Sequence, residues 1–246
     1  MLRRIWLTIT LSALFAALAV VAARVSVAVA AEAPATAHLT APAHGPITVE
    51  FVVSDMADVM DVAGAWEVFE DTVVASHPAF RLFIVAPGKA PVRMGMDPGL
   101  NVIPEYTFDD APPAELIVVP AQAGGAKLTQ FLRARHADGE AIMSICTGAF
   151  QLAETGLLDG KPATTHHDYM TAFSKQFPRV MLMPGNRYVQ SDARIFTAGG
   201  LTSGIDLALH IVDLYFGRDV AAKTANYLEY SGQGWKAPQG ASPVSD

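Results

Sequence analysis

A single cysteine stands in this chain of 246 residues, and its position gives it chemistry. Cys146 closes an apolar run, Ala141–Ile145, and is followed by Thr147, Gly148 and a stretch with helical spacing. A strand that turns sharply into a helix at a nucleophilic residue lifts that side chain clear of the backbone. The helix aims N–H groups and the positive end of its dipole at the sulfur, so the spacing predicts a lowered thiol pKa. Gly148 lets a neighbouring segment approach closely. A free cysteine is also read as a small buried hydrophobe, but placement at a strand-to-helix switch favours a reactive thiol.

Other polar residues leave more than one reading open. Asp61 opens an amphipathic stretch and reads from its spacing as a helix cap or first-turn acid. His166 and His167 follow the cysteine by some twenty residues, with Asp168 next. A histidine near a thiol can orient or activate it. The same trio suggests a metal, but consecutive side chains are expected to point in different directions and no further ligand is evident, so the expectation is no metal. Asp206 and His210, four apart, are expected as a surface pair on a helix. Ser191-Asp192 reads as a turn. Trp66, Phe69 and Phe150 read as core or dimer packing. No phosphate-cradling loop with its lysine is present, and no cofactor is expected.

The elements that must position Cys146 alternate along the chain. Residues 47–54, 81–86, 115–120 and 141–145 are apolar and β-branched, which predicts buried strands. Residues 61–74, 127–138, 147–156, 167–177, 203–216 and 219–230 carry helical spacing. Asp97-Pro98-Gly99 marks a hairpin within 89–111, and 180–183, 188–190 and 195–198 read as short strands. Near-continuous apolar strands between helices predict a mostly parallel sheet covered on both faces, an α/β/α sandwich of flavodoxin-like or Rossmann-like type. Ligands in such sheets sit at the carboxyl ends of the strands, where Cys146 falls.

Composition excludes several classes. Apolar residues make up 51% of the chain and charged residues 17%, which argues against disorder. The net charge of −7, without basic clusters, argues against nucleic-acid binding. One cysteine cannot build an internal disulfide or a cysteine-rich zinc site.

The run Ser144-Ile145-Cys146-Thr147-Gly148-Ala149-Phe150 resembles the ThiJ/PfpI superfamily, relatives of the class I glutamine amidotransferases. The likeness continues through Leu152-Ala153, Gly156–Gly160, Ala163–His166, Asp61–Gly64, Glu67–Phe69, Thr107–Asp110, Thr197–Gly200, Thr202–Asp206 and Leu228–Tyr230. Thr147 stands where the protease-like members carry histidine, and Asp61 stands where many members carry glutamate. Both features resemble the isocyanide hydratase branch, which also includes sensor domains of AraC-type regulators. The resemblance implies that Cys146 is the nucleophile, that Asp61 faces it, and that the Thr147 N–H and hydroxyl support developing charge. An acid held beside an anionic sulfur has its pKa raised and serves as general acid, then general base. His166, Ala121 and Gln122 are the expected supporting residues. The family commonly has Pro-Gly-Gly after the third strand, with a backbone N–H in the oxyanion site. Pro120-Ala121-Gln122 departs from that pattern, and residues other than glycine disfavour positive φ. A small-molecule substrate and a homodimer are implied. A redox-sensing or ligand-binding role for the same pocket is the alternative, since a low-pKa exposed thiol is also oxidised readily.

The amino terminus adds a location. Arg3-Arg4, an apolar run from Ile5 to Ala23 and Ala28-Val29-Ala30 describe an export signal over residues 1–30. The run is also nearly long enough to anchor the chain in a membrane if uncleaved. Residues 31–46, with Pro34, Pro42 and Pro46, read as a tether, 47–230 as the domain, and 231–246 as a flexible tail. The expected destination is the periplasm.

Overall fold

The computed structural model describes residues 39–236, so the expected signal and most of the tether lie outside the described residues. Among the described residues no helix is long and apolar enough to cross a membrane.

The chain runs β1 (Ile47–Val52), α1 (Val59–Glu70), β2 (Val73–Val74), β3 (His77–Pro78), β4 (Phe80–Ala86), β5 (Val92–Met94), β6 (Leu100–Val102), β7 (Tyr106–Thr107) and β8 (Leu116–Val119). It continues with α2 (Ala126–Ala137), β9 (Ala141–Ser144), α3 (Gly148–Glu154), β10 (Pro162–Ala163), α4 (Met170–Gln176), β11 (Met181–Leu182), β12 (Tyr188–Gln190), β13 (Ile195–Ala198), α5 (Ser203–Phe216) and α6 (Arg218–Tyr227). A seven-stranded sheet has the order β12-β13-β9-β8-β1-β4-β7. Every pairing in it is parallel except the edge pair β12–β13. This is the mostly parallel, flavodoxin-like α/β fold that the sequence predicts.

Period-two alternation divides the core. Val49, Phe51, Leu116, Val118, Ala141 and Met143 face one layer with Val68, Phe69 and Ile211 of α1 and α5. Val52, Ile117, Val119 and Ile142 face the other, with Leu128, Leu132 and Leu152 of α2 and α3. Successive side chains of a strand point to opposite faces, so unbroken apolar runs are what a two-sided sheet requires. Trp66 and Phe69 pack on Phe51 and Phe80, and Phe150 on Phe173, as core aromatics. A buried Glu50–Arg135–Glu140 cluster crosses from β1 to α2. It adjoins a cavity of about 620 Å³ at the amino-terminal end of the sheet, away from the cysteine.

Three expectations are corrected. The first helix ends at Glu70 rather than Val74: β-branched Val73-Val74 pairs with His77-Pro78 across Ala75 and Ser76, both at positive φ. Asp206 and His210 are not on the surface. Asp206 is fully buried, and His210 stacks on Tyr188 at 4.8 Å. The loose tail does not begin at 231, because Trp235 is buried against α5 and its N–H donates to Asp206 Oδ1 at 3.0 Å.

Candidate active site

Cys146 occupies the turn between β9 and α3 with φ +58, a conformation that side-chain-bearing residues rarely adopt. The surroundings hold it there. Its N–H lies 2.9 Å from the Gly199 carbonyl and 3.2 Å from that of Ala198, at the end of β13. Its own carbonyl accepts the Thr165 hydroxyl at 2.9 Å. Strain of this kind persists only where neighbours over-determine it. Gly148 permits the tight turn, since a Cβ there would stand 2.2 Å from the Val119 carbonyl oxygen and 2.8 Å from that of Pro120.

Asp61 comes from the first turn of α1 and is fully buried. The capping role open to it in the sequence belongs to Asp58. Asp58 Oδ1 accepts the N–H groups of Met60 at 2.9 Å and Asp61 at 3.1 Å, which releases the Asp61 carboxylate for other work. The sequence reading missed Asp58. An acid just ahead of the helical spacing is the available signal, hidden where the spacing is taken to begin at Asp61.

Ala121 joins the two sides of the site. Its N–H donates to Asp61 Oδ2 at 3.0 Å, and its carbonyl accepts the Asp58 N–H at 2.8 Å. Neither Ala121 nor Gln122 adopts positive φ, so the altered Pro-Ala-Gln turn spends an N–H on the acid. Gln122 is half-buried and braces the turn, donating to the Val52 carbonyl at 2.9 Å.

The electrostatics correct one expectation. Burial, then the charge of Asp61, push the Cys146 thiol up to about 12, although the N–H groups of Thr147 and Leu201 act in the opposite direction. Desolvation outweighs the helix end, which belongs to a helix of only seven residues. Asp61 is itself raised to about 7 by burial, against the hydrogen bond from Ala121. Its second oxygen, Oδ1, accepts no well-formed hydrogen bond among the described residues, although the Leu201 N–H is near enough to hold the carboxyl pKa down somewhat. The two groups therefore hold a single negative charge between them, and near neutrality Asp61 takes it before the sulfur does.

Thr147 precedes α3 and its side chain makes no cap, while its N–H draws the thiol pKa down. His166 packs edge-on against Gly200, where a Cβ would stand 2.2 Å from its Cδ2 and 2.9 Å from Nε2. Its Nδ1 accepts the Asp168 N–H at 3.2 Å, which leaves the proton of the neutral ring on Nε2, toward Gly200. His166 and His167 do not diverge as expected: their rings stack at 4.4 Å and 24°. With Asp168 they lie within 4.8 Å of one another. Stacked planes do not aim two in-plane lone pairs at one ion, and His166 Nδ1 is already engaged.

Comparison with known proteins bears on the family and the fold. The DJ-1/PfpI family model matches residues 48–214. An isonitrile hydratase from Pseudomonas putida is 32% identical over 191 residues, covering 75% of this chain and 79% of the relative. The transcriptional regulator GbdR of Pseudomonas aeruginosa is 30% identical over 137 residues, but this chain covers only 37% of its length. A crystal structure of a ThiJ/PfpI family protein from Pseudomonas syringae superposes with a TM-score of 0.66 at 26% identity, covering 77% of each chain.

Proposed function

The chain belongs to the DJ-1/PfpI family, and from that premise we propose that it hydrates isocyanides to N-substituted formamides through Cys146 and Asp61. The observation that carries the reading is a buried carboxylate, raised to about 7, beside a thiol on a strained strand-to-helix turn. The isonitrile hydratase relative supplies the substrate class.

The chemistry follows from where the proton starts. In the resting site the thiol keeps its proton, and ionised Asp61 is the base beside it. Sulfur attacks the terminal carbon of the isocyanide as its proton passes to Asp61. Asp61 then delivers that proton to the same carbon, giving an S–CH=N–R thioimidate. Water adds to this carbon, with the regenerated carboxylate taking one of its protons. Asp61 passes that proton to the nitrogen; the C–S bond then breaks as the carbonyl forms, the hydroxyl proton is handed to the departing sulfur, and R–NH–CHO leaves. One acid of tuned pKa thus serves twice. The N–H groups of Thr147 and Leu201 support the sulfur as it gains charge.

Burial and the raised thiol pKa disfavour the redox-sensing alternative, because oxidation follows thiolate character and exposure. The regulator relatives favour ligand binding as the second reading. Turnover of a simple isocyanide by the purified protein, with Cys146→Ala as control, separates them. Equal rates in the two proteins would end the hydratase reading. Export to the periplasm and a homodimer are part of the same proposal, checked by cell fractionation and by light scattering.

A further inference from the structure

Two sequence motifs of the domain, Thr202–Asp206 and Leu228–Tyr230, have no role in the chemistry above. The structure brings them together with the carboxy-terminal segment. Asp206 is fully buried on the first turn of α5. Its Oδ1 accepts the Trp235 N–H at 3.0 Å, and its Oδ2 pairs with Arg187 Nε. The Tyr230 hydroxyl interacts with the same pair. Trp235 is fixed again by the Tyr188 hydroxyl, which donates to its carbonyl at 3.1 Å, and by the cations of Arg218 and Lys236 over its ring at 5.2 and 5.0 Å.

Arg187 turns this anchorage toward the cysteine. Its carbonyl accepts the Gly199 N–H at 2.8 Å, and its Nη2 donates to the Thr202 hydroxyl at 3.3 Å. It therefore grips both ends of the turn from Gly199 to Thr202. Inside that turn the Gly199 carbonyl accepts the Cys146 N–H, and Leu201 is held at φ +50. A leucine keeps positive φ only where its flanks are fixed.

We propose that Trp235, Asp206 and Arg187 form a clasp that positions the 199–202 turn, so that the Gly199 carbonyl keeps its hold on the Cys146 N–H and the sulfur stays presented at the elbow. The carboxy-terminal segment, read from sequence as a tail, is then part of the active-site machinery. Arg187 and Asp206 are positioning residues, acting through the turn. The inference rests on the reading of Cys146 as the reactive nucleophile.

The test is the rate of Cys146 alkylation by iodoacetamide from pH 6 to 11 in the full-length chain. Arg187→Met is expected to lower the rate at pH 8 about tenfold and to move the rising limb to higher pH, because the turn that holds the Cys146 N–H is released and the elbow no longer presents the sulfur. Arg187→Lys restores the pair with Asp206 but not the reach to Thr202, and falls between. Thr202→Val is expected to lower the rate about threefold; its hydroxyl does not cap α5, so the fold is spared. Leu132→Val, in the opposite core, reports destabilisation alone and leaves the profile in place. Wild-type profiles in folded Arg187→Met and Thr202→Val overturn the clasp. If Arg187→Met does not fold, Thr202→Val decides. Failure of isocyanide turnover with a normal alkylation profile would instead reject the hydratase reading and leave the clasp standing.

Discussion

The Ala121 N–H donates to Asp61 Oδ2 at 3.0 Å, tying the residue after β8 to the first turn of α1 beside the cysteine. In the proposed reaction the second Asp61 oxygen, which accepts no well-formed hydrogen bond among the described residues, is the one that exchanges a proton. One carboxylate oxygen is thus spent on position and the other on chemistry. Replacing Asp61 by asparagine keeps the shape and removes the base. Asp61→Asn is expected to lower kcat for isocyanide hydration by about a thousandfold, equivalent to roughly 4 kcal/mol of transition-state stabilisation. Steady-state kinetics measure it.

Burial of carboxyl groups makes stability depend on pH. Asp61 is raised to about 7 and Glu50 to about 8, in both cases chiefly by desolvation. A raised carboxyl pKa means that the folded chain holds the proton more tightly than the unfolded chain. The resulting stabilisation is complete below about pH 4 and is lost as pH rises through 7 and 8, on the order of 4 kcal/mol for each group. Urea unfolding is expected to show a lower midpoint at pH 9 than at pH 5. Asp61→Asn should remove the part of the loss that builds from about pH 4 and ends near 7, and Glu50→Gln the part that ends near 8.

The elbow depends on Gly148. A methyl group there would collide with the Val119 and Pro120 carbonyl oxygens, which belong to backbone and cannot swing aside. Gly148→Ala is expected to destabilise the domain by about 3 kcal/mol and to abolish alkylation of Cys146 at neutral pH. Thermal unfolding and thiol labelling test the two parts separately.

Gly200 holds a place for the His166 ring. Gly200→Ala would drive a Cβ into the imidazole edge, displacing the Nε2–H that faces the turn. A fall in kcat/KM of about tenfold is expected, with a loss of stability of about 1–3 kcal/mol. His166→Asn in the Gly200→Ala background should recover stability but not rate.

The sequence made much of this legible because its signals are local. Strands buried on both faces leave unbroken apolar runs, and Cys146 followed by Thr147-Gly148 marks the elbow without reference to distant residues. What the sequence hid is non-local. Desolvation of the thiol depends on what packs around Cys146, and that outweighs the helix end visible from the spacing. Asp206 looked like a surface acid because its partners, Arg187 and Trp235, are 19 and 29 residues away along the chain. The Gly-rich segment from Ser231 carries the composition of a tail, yet Trp235 gives it an anchor.

The pH dependence of formamide production, measured on wild-type protein and Asp61→Asn, tests the sharing of one proton between Cys146 and Asp61 most directly. The wild-type rate is predicted to rise through a limb near pH 7, where Asp61 becomes the base. In Asp61→Asn the residual rate should lose that limb and climb only at the high pH where the thiol ionises unaided. A limb near 7 that survives in Asp61→Asn, or a wild-type rate indifferent to pH from 5 to 9, would contradict the account.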